Sequence, residues 1–481
     1  MIDLVVAGGL VVTPDRTAVR DIGIAGERIA YVAEPGAVGH ADARVIDARG
    51  NVVFPGGVEA HAHIHEPMYR GWSGGEEVWL QSPEGATRAA VFGGTTTVLS
   101  FAFMGVHVVE QEFDAAEAVD HRRQVFTGRS YADFGFHPVL TGSPSERTIA
   151  TVGNAIDDGT ATVKLFTTDL TTGQTGVRID NGSAREVMRE CAEHGAIVMV
   201  HAEDDELIKY MEAKLARERR DELGSVGLVH TTVGEEIAVR STARLAADVG
   251  AGLYLVHLTG REPLDALAEL RERGQPVYGE TLHNLLCFSS EDYARPDGAK
   301  FHIGMGLKPP SHQEALWRGL ADGRVSVLAT DEYTTSLAVK MGGANLQTTP
   351  GGHVGIETRG IIGYSEGVAA GRITLERFAD VFSTNPARLM GLYPRKGVIA
   401  PGSDADLAVW HPDVERTITI GDLHHDGDYS PWEGWRVRGW PVATILRGRL
   451  LVENGRLVGT PADGRWLPRR LDAELLARPA L

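Results

Sequence analysis

The sequence predicts an α/β protein: a (β/α)8 TIM barrel carrying a small β-sandwich domain built from both ends of the chain. Three observations predict it. Short β-like runs separated by turn residues fill the first fifty-odd positions, and the same texture returns near the other end. Between the two flanks, eight apolar runs alternate with helix-length amphipathic segments.

The first flank reads Leu4–Val12, Ala18–Ile24, Arg28–Val32 and Arg44–Asp47, with Asp, Gly and Pro between the runs. The eight central runs are Gly57–Ile64, Thr95–Phe101, Phe134–Leu140, Ala161–Phe166, Ala196–His201, Gly252–His257, Pro276–Glu280 and Val325–Asp331. They are too continuously apolar for a sheet with one wet face, which points to parallel strands covered by helices. Arg185–His194, Glu235–Val249, Glu262–Arg273 and Gln313–Asp322 have the length and spacing of those helices. Eight strand–helix units are the number that closes a barrel. The second flank reads Ala405–Trp410, Val442–Leu446 and Arg449–Val452, punctuated by PGSDAD, RGR and ENGR. The expected division is 1–54 with 397–462 as the β-sandwich, 55–396 as the barrel, and 463–481 as a partly exposed helical tail. Trp432, Trp435 and Trp440 could serve contacts between copies of the chain, but packing inside the β-flank is the expected use.

Composition removes several classes of function. With 47 Lys+Arg against 65 Asp+Glu in 481 residues, the formal charge is −18, which disfavours nucleic acid and anionic membranes as partners. Apolar residues at 43% and charged residues at 23% are the mix of a globular protein rather than a disordered one. Cys191 and Cys287 are the only cysteines and neither lies in a CxxC pair, so neither a disulfide framework nor a redox pair is expected. The start, MIDLVVAGGLVV, has an acid at position 3 and no basic n-region, so a cytoplasmic protein without a secretory leader is expected. The most apolar stretch, Ala89 to Val109, is interrupted by three threonines, and no membrane span is expected there.

The polar residues on the eight runs carry the chemistry. The first run ends HAHIH, and period-two alternation puts His61 and His63 on one face. Lys164 ends the fourth run, His201 the fifth, His257 the sixth and Asp331 the eighth. Each sits at the carboxyl end of an apolar strand, the face on which barrel enzymes build their sites. Taken singly, a strand histidine is usually structural, Lys164 could snorkel and Asp331 could cap a helix. Four imidazoles, a carboxylate and an amine converging from five strands point to a metal centre instead.

The ordered segments HAH, VKLF, VMVHAED, LYLVHLTG and LATDE, followed by NPARLMGLYPRKGVIAPGSDADLAVW, resemble the cyclic amidohydrolases of the metal-dependent amidohydrolase superfamily. Among these the resemblance is to hydantoinases and dihydropyrimidinases. It runs from the first residues to about Gly459 and includes DYSPWEGWRVRGWPV. It implies two divalent metal ions, usually Zn2+, with His61, His63 and Asp331 on one and His201 and His257 on the other. Lys164, carboxylated, would bridge them together with a hydroxide. That hydroxide would attack a ring amide, with Asp331 as general base and then general acid, and the product would be an N-carbamoyl or related open-chain acid. The resemblance also implies a homodimer or homotetramer acting on a small cyclic amide.

The chain departs from the family pattern around the substrate. Asp169 stands five positions after the lysine, where hydantoinases usually carry an oxyanion-stabilising tyrosine; Tyr69 and His65 are the candidate replacements. Lys308 in LKPP stands for a serine, Glu332 for the usual histidine after Asp331, Glu59 for the common aspartate before the histidine pair, and the usual asparagine aligns near Pro350. Asp169, Lys308 and Glu332 are therefore expected to read a substrate more polar than a plain hydantoin, the competing reading being drift in a pocket whose backbone recognises the ring. The frame HIHEP puts His65 where dihydroorotases place arginine, which disfavours that activity and leaves an allantoinase-like or other cyclic ureide or imide hydrolase as the alternative. A mononuclear amidohydrolase is a further alternative, and a non-catalytic scaffold of the same fold is the alternative from another class.

Overall fold

The computed structural model describes residues 1–39, 42–69, 72–73, 75, 77–105, 113–169 and 176–477. The first flank supplies β1 (Leu4–Val12), β2 (Thr17–Ala25), β3 (Arg28–Ala33), β4 (Arg44–Asp47) and β5 (Val52–Pro55). The centre supplies β6 (Gly57–His63), β7 (Thr95–Phe103), β8 (Asp133–Val139), β9 (Thr162–Phe166), β10 (Ile197–His201), β11 (Gly252–Leu255), β12 (Val277–Leu282), β13 (Val327–Ala329) and β14 (Glu332–Tyr333). The second flank adds β15 (Leu407–Thr417), β16 (Arg436–Leu446), β17 (Arg449–Glu453) and β18 (Arg456–Leu457).

The flank strands form one sheet in the order β18-β17-β16-β15-β5-β1-β2-β3, with β4 on β1. The unexpected strand β5 is the junction: it runs parallel to β1 and antiparallel to β15, joining the two ends of the chain by main-chain hydrogen bonds. All four of its residues are buried, and so short an apolar run gives no alternation to read. A bridge between Arg28 and Asp404 returns the β3 edge to the approach to β15. The sheet thus curls around one cluster that includes Ile22, Ile24, Val53, Leu407, Val409 and Ile445.

The central strands run parallel from β6 to β13, and β14 pairs with β6. Because only Thr330 and Asp331 separate β13 from β14, the ring closes. This is the expected (β/α)8 barrel, with one difference: the eighth strand is broken at the residues that face the site. Helices Asn181–His194 and Thr232–Val249 start upstream of the expected positions, because Asp180 and Thr231 cap their first turns with side-chain acceptors. No helix among the described residues is long and apolar enough to cross a membrane.

Two expectations are corrected. The segment from Ala462 is not a helical tail; only Ala473–Leu476 is helical. Leu467, Arg469 and Leu471 are buried while Pro468 and Arg470 are exposed, a period of two rather than 3.6. The segment lies along the barrel, with Phe134 N donating to Arg465 O and Leu467 N to Phe134 O, and residues 478–481 lie outside the described residues. Trp432 does not pack in the flank core. It stacks on His283 with ring centroids 4.2 Å apart, and Trp432 and Trp440 both belong to the barrel's hydrophobic cluster.

An ion cluster ties the flank sheet to the barrel. Lys396 Nζ lies 2.7 Å from Asp133 on β8, 2.7 Å from Asp406 and 3.0 Å from Asp404, all buried. Burial opposes its charge, yet Asp406, Asp133 and Asp404 hold the amine above its ordinary value. Lys396→Met would leave three buried carboxylates without their shared cation. We expect it to cost about 3–5 kcal/mol of stability in chemical denaturation, while the conservative Lys396→Arg costs less.

Candidate metal centre

The site grows from β6, every residue of which is buried. His61 and His63 share one face, and their rings are 5.9 Å apart. Each gives its Nδ1 to a carboxylate, His61 to Glu280 Oε1 at 2.7 Å and His63 to Glu66 Oε2 at 2.9 Å. That fixes both rings with Nε2 turned toward Asp331 Oδ1, at 3.1 Å from His61 and 3.5 Å from His63. The three donor atoms lie within 4.8 Å of one another, and this is the only such group of three among the described residues. His61 Nε2 is buried with no hydrogen-bond partner. Imidazole nitrogens held by carboxylates and converging with a third carboxylate are a donor set that fits a divalent cation.

His257, two residues beyond the end of β11, and His201 on β10 flank this group. The His201 and His257 rings are 4.5 Å apart, and His61 is 5.6 Å from His257. His201 is turned the other way: its Nε2 meets Glu203 Oε2 at 2.7 Å, leaving Nδ1 for the site. Glu203 also accepts from His230 Nδ1 at 2.9 Å. Lys164 on β9 is buried, with its amine over the rings of Phe101 and Phe166 at 5.3 and 4.8 Å. It has no hydrogen-bond or ion-pair partner among the described residues.

Electrostatics follow from this packing. Burial lowers the Lys164 ammonium to about 8, against the pull of Asp331 and Glu280. Burial would likewise strip the proton from His61, but the Glu280 and Asp331 carboxylates outweigh it and hold the ring at about 9. Asp331 is kept well below the usual carboxylate range despite burial, chiefly by His61. The backbone is also strained here: His65, His257 and Asp331 have φ of 51°, 38° and 50°, conformations that non-glycine residues adopt at a cost of about 1–3 kcal/mol.

The residues expected at the substrate are placed differently from the ligand set. Lys308 Nζ donates to the carbonyls of His230, Met305 and Gly306 at 2.7, 2.6 and 3.1 Å. Glu332 accepts from Gln81 Nε2 at 2.6 Å, from the amides of Gly355 and Ile356 at 2.6 and 2.7 Å, and from the Thr334 hydroxyl. Asp169 accepts from the amides of Gly176, Val177 and Arg178 and pairs with Lys209 at 2.8 Å. All three are engaged by the protein itself. His65 packs its ring on Trp79, 5.1 Å away, while Tyr69 stands edge-on to Trp72, which in turn meets Tyr333 beside His63.

Sequence reasoning missed the carboxylates behind the histidines: Glu66, Glu203 and Glu280. A signal existed, because Glu66 and Glu203 follow His63 and His201 at short spacing and Glu280 ends the seventh run.

The amidohydrolase family pattern matches residues 52–451. The D-hydantoinase of Streptomyces coelicolor is 34% identical over 475 residues, covering 97% of this chain and 97% of that protein. The D-hydantoinase of Geobacillus stearothermophilus is 33% identical over 440 residues, 90% of each. The crystal structure of dihydropyrimidinase from Brevibacillus agri superposes with a TM-score of 0.91 at 29% identity, covering 98% of this chain and 100% of that one. With a match of that extent joined to this constellation of histidines and carboxylates, the chain belongs to the amidohydrolase family.

Proposed function

We propose that this chain is a metal-dependent hydrolase that opens the ring of a cyclic amide of the hydantoin or dihydropyrimidine class. The observation that carries the reading is the convergence of His61 Nε2 and His63 Nε2 on Asp331 Oδ1, with His61 Nε2 orphaned. His61, His63 and Asp331 would hold one Zn2+, His201 and His257 a second, and Lys164 would lie between them as its carbamate. A buried amine lowered to about 8 has a sizeable neutral fraction, the form that reacts with carbon dioxide. When bound, the cations supply Lewis acidity and bring water to deprotonate near neutral pH. Asp331 Oδ1 faces both imidazoles, which leaves Oδ2 to take the proton of the attacking water and return it to the departing ring nitrogen. The full ligand set and the hydantoinase likeness support an enzyme over a scaffold.

Asp169, Lys308 and Glu332 shape the pocket without touching the ring, and the backbone they organise recognises it. Assembly as a homodimer or homotetramer and a cytoplasmic setting complete the reading. The exposed apolar side chains Leu207, Tyr210, Leu228, Val233 and Ile237, gathered on helices Asp205–Glu218 and Thr232–Val249 and the short helix between them, support self-association.

Measurements of activity, stability and assembly test this. Chelation should abolish hydrolysis and re-addition of Zn2+ with bicarbonate should restore it; Lys164→Ala should stay inactive until a short carboxylate such as acetate is added in place of the carbamate. Across hydantoin, dihydrouracil, allantoin and cyclic imides, hydantoins or dihydrouracil should rank first. Lys308→Ser should lower the thermal midpoint without reordering that panel, because Lys308 spends its ammonium on the main-chain carbonyls of His230, Met305 and Gly306. In sedimentation, Ile237→Glu should shift the oligomer toward smaller species.

A further inference from the structure

The eighth strand is interrupted where the site lies. β13 pairs with β12 through Ala329, β14 pairs with β6 from Glu332, and Thr330 and Asp331 between them belong to neither ladder. Main-chain groups in such a gap need other partners. Side chains supply them. Glu59 Oε1 accepts from His61 N at 2.9 Å and from Thr330 N at 3.3 Å, so one oxygen holds the amides of a histidine of the site and of the residue preceding Asp331. The Thr330 hydroxyl donates to His61 O at 3.3 Å and accepts from Glu332 N at 3.1 Å.

Glu59 is itself held. Its Oε2 lies 3.1 Å from Arg359 Nε, a contact of charges that lacks hydrogen-bond alignment. The Arg359 guanidinium is anchored in turn by Val58 O at 2.9 Å, Leu328 O at 3.0 Å and Thr95 Oγ1 at 2.9 Å, and sits over the Phe382 ring at 4.4 Å. Both side chains are fully buried.

We propose that Glu59 and Arg359 are positioning residues for the metal centre. They replace the missing rungs of the eighth strand, so that Asp331 holds its left-handed backbone and presents Oδ1 to His61 and His63. The proposal rests on the metal reading above and adds a pair that the reading does not use. Glu59→Gln keeps length and shape but cannot serve both neighbours: if its amide oxygen keeps the two backbone amides, its NH2 faces the guanidinium as donor against donor. A pair that only held the barrel together would lower stability alone; a positioning pair also alters how the cation is held.

The test compares wild type, Glu59→Gln, Glu59→Asp and Thr330→Val as purified holoenzymes. Zn2+ retention against a graded competing chelator, the visible spectrum after Co2+ substitution, the thermal midpoint, and kcat and KM are read for each. Glu59→Gln is expected to weaken one of the two metal equivalents by about 10–100-fold, change the Co2+ spectrum, and lower kcat with little change in KM. Glu59→Asp, which keeps the charge, is expected to recover most of that loss. Thr330→Val is expected to show the same pattern more weakly, and it decides the matter if Glu59→Gln does not fold. Loss of thermal stability with unchanged Zn2+ retention, Co2+ spectrum and kcat would overturn the proposal. Wild-type protein that binds no stoichiometric metal would overturn the metal reading instead.

Discussion

The barrel interior concentrates carboxylates that an apolar environment does not tolerate alone. Glu59, Glu66, Glu203, Glu280 and Asp331 are gathered about one end of the ring, all in low-dielectric surroundings. Each must be matched by a hydrogen-bond donor or a cation. Arg359 serves Glu59, Tyr254 and His61 serve Glu280, and two imidazoles serve Glu203. Asp331 faces imidazoles that are themselves committed through Nδ1 or crowded by a neighbouring ring. A bound divalent cation at His61, His63 and Asp331 would add positive charge where these carboxylates gather, so the same imbalance that burdens the fold prepares the site.

Much of this was legible because apolar strands make foreign residues conspicuous. His61, His63, Lys164, His201, His257 and Asp331 stand out against valines, alanines and leucines, and the alternation of β6 assigns its two histidines to one face. What His61 leans on was not legible, since its partner lies more than two hundred positions away on β12, whereas those of His63 and His201 lie within three residues. The partners of the polar residues after the strands were hidden for a related reason. Lys308 sits in a cage of three carbonyls and Glu332 in a pair of amides, and backbone groups leave no mark in a sequence. The hydrogen bonds that hold an odd charged residue near a site are therefore hidden from a reading of the sequence.

The fold was read well at the centre and less well at its seams. Strands with helices between them announce themselves by length and period, whereas β5 is four buried residues and the segment near Arg469 alternates too briefly to be told from a helix by composition. The break in the eighth strand was also invisible, because Val325–Asp331 carries no glycine or proline to mark it. These seams carry function and assembly, which is where local preference is most often overridden by tertiary demands.

The junction at β5 sets the order in which the molecule can be made. Its partner residues pair Val52 with Trp410, across most of the chain. During synthesis the first five strands leave the ribosome long before β15 exists, so the edge of β5 must wait, unpaired, while the whole barrel is translated. Contacts of such long range close slowly. The flank sheet can therefore close across β5 only after the barrel's own strands have left the ribosome.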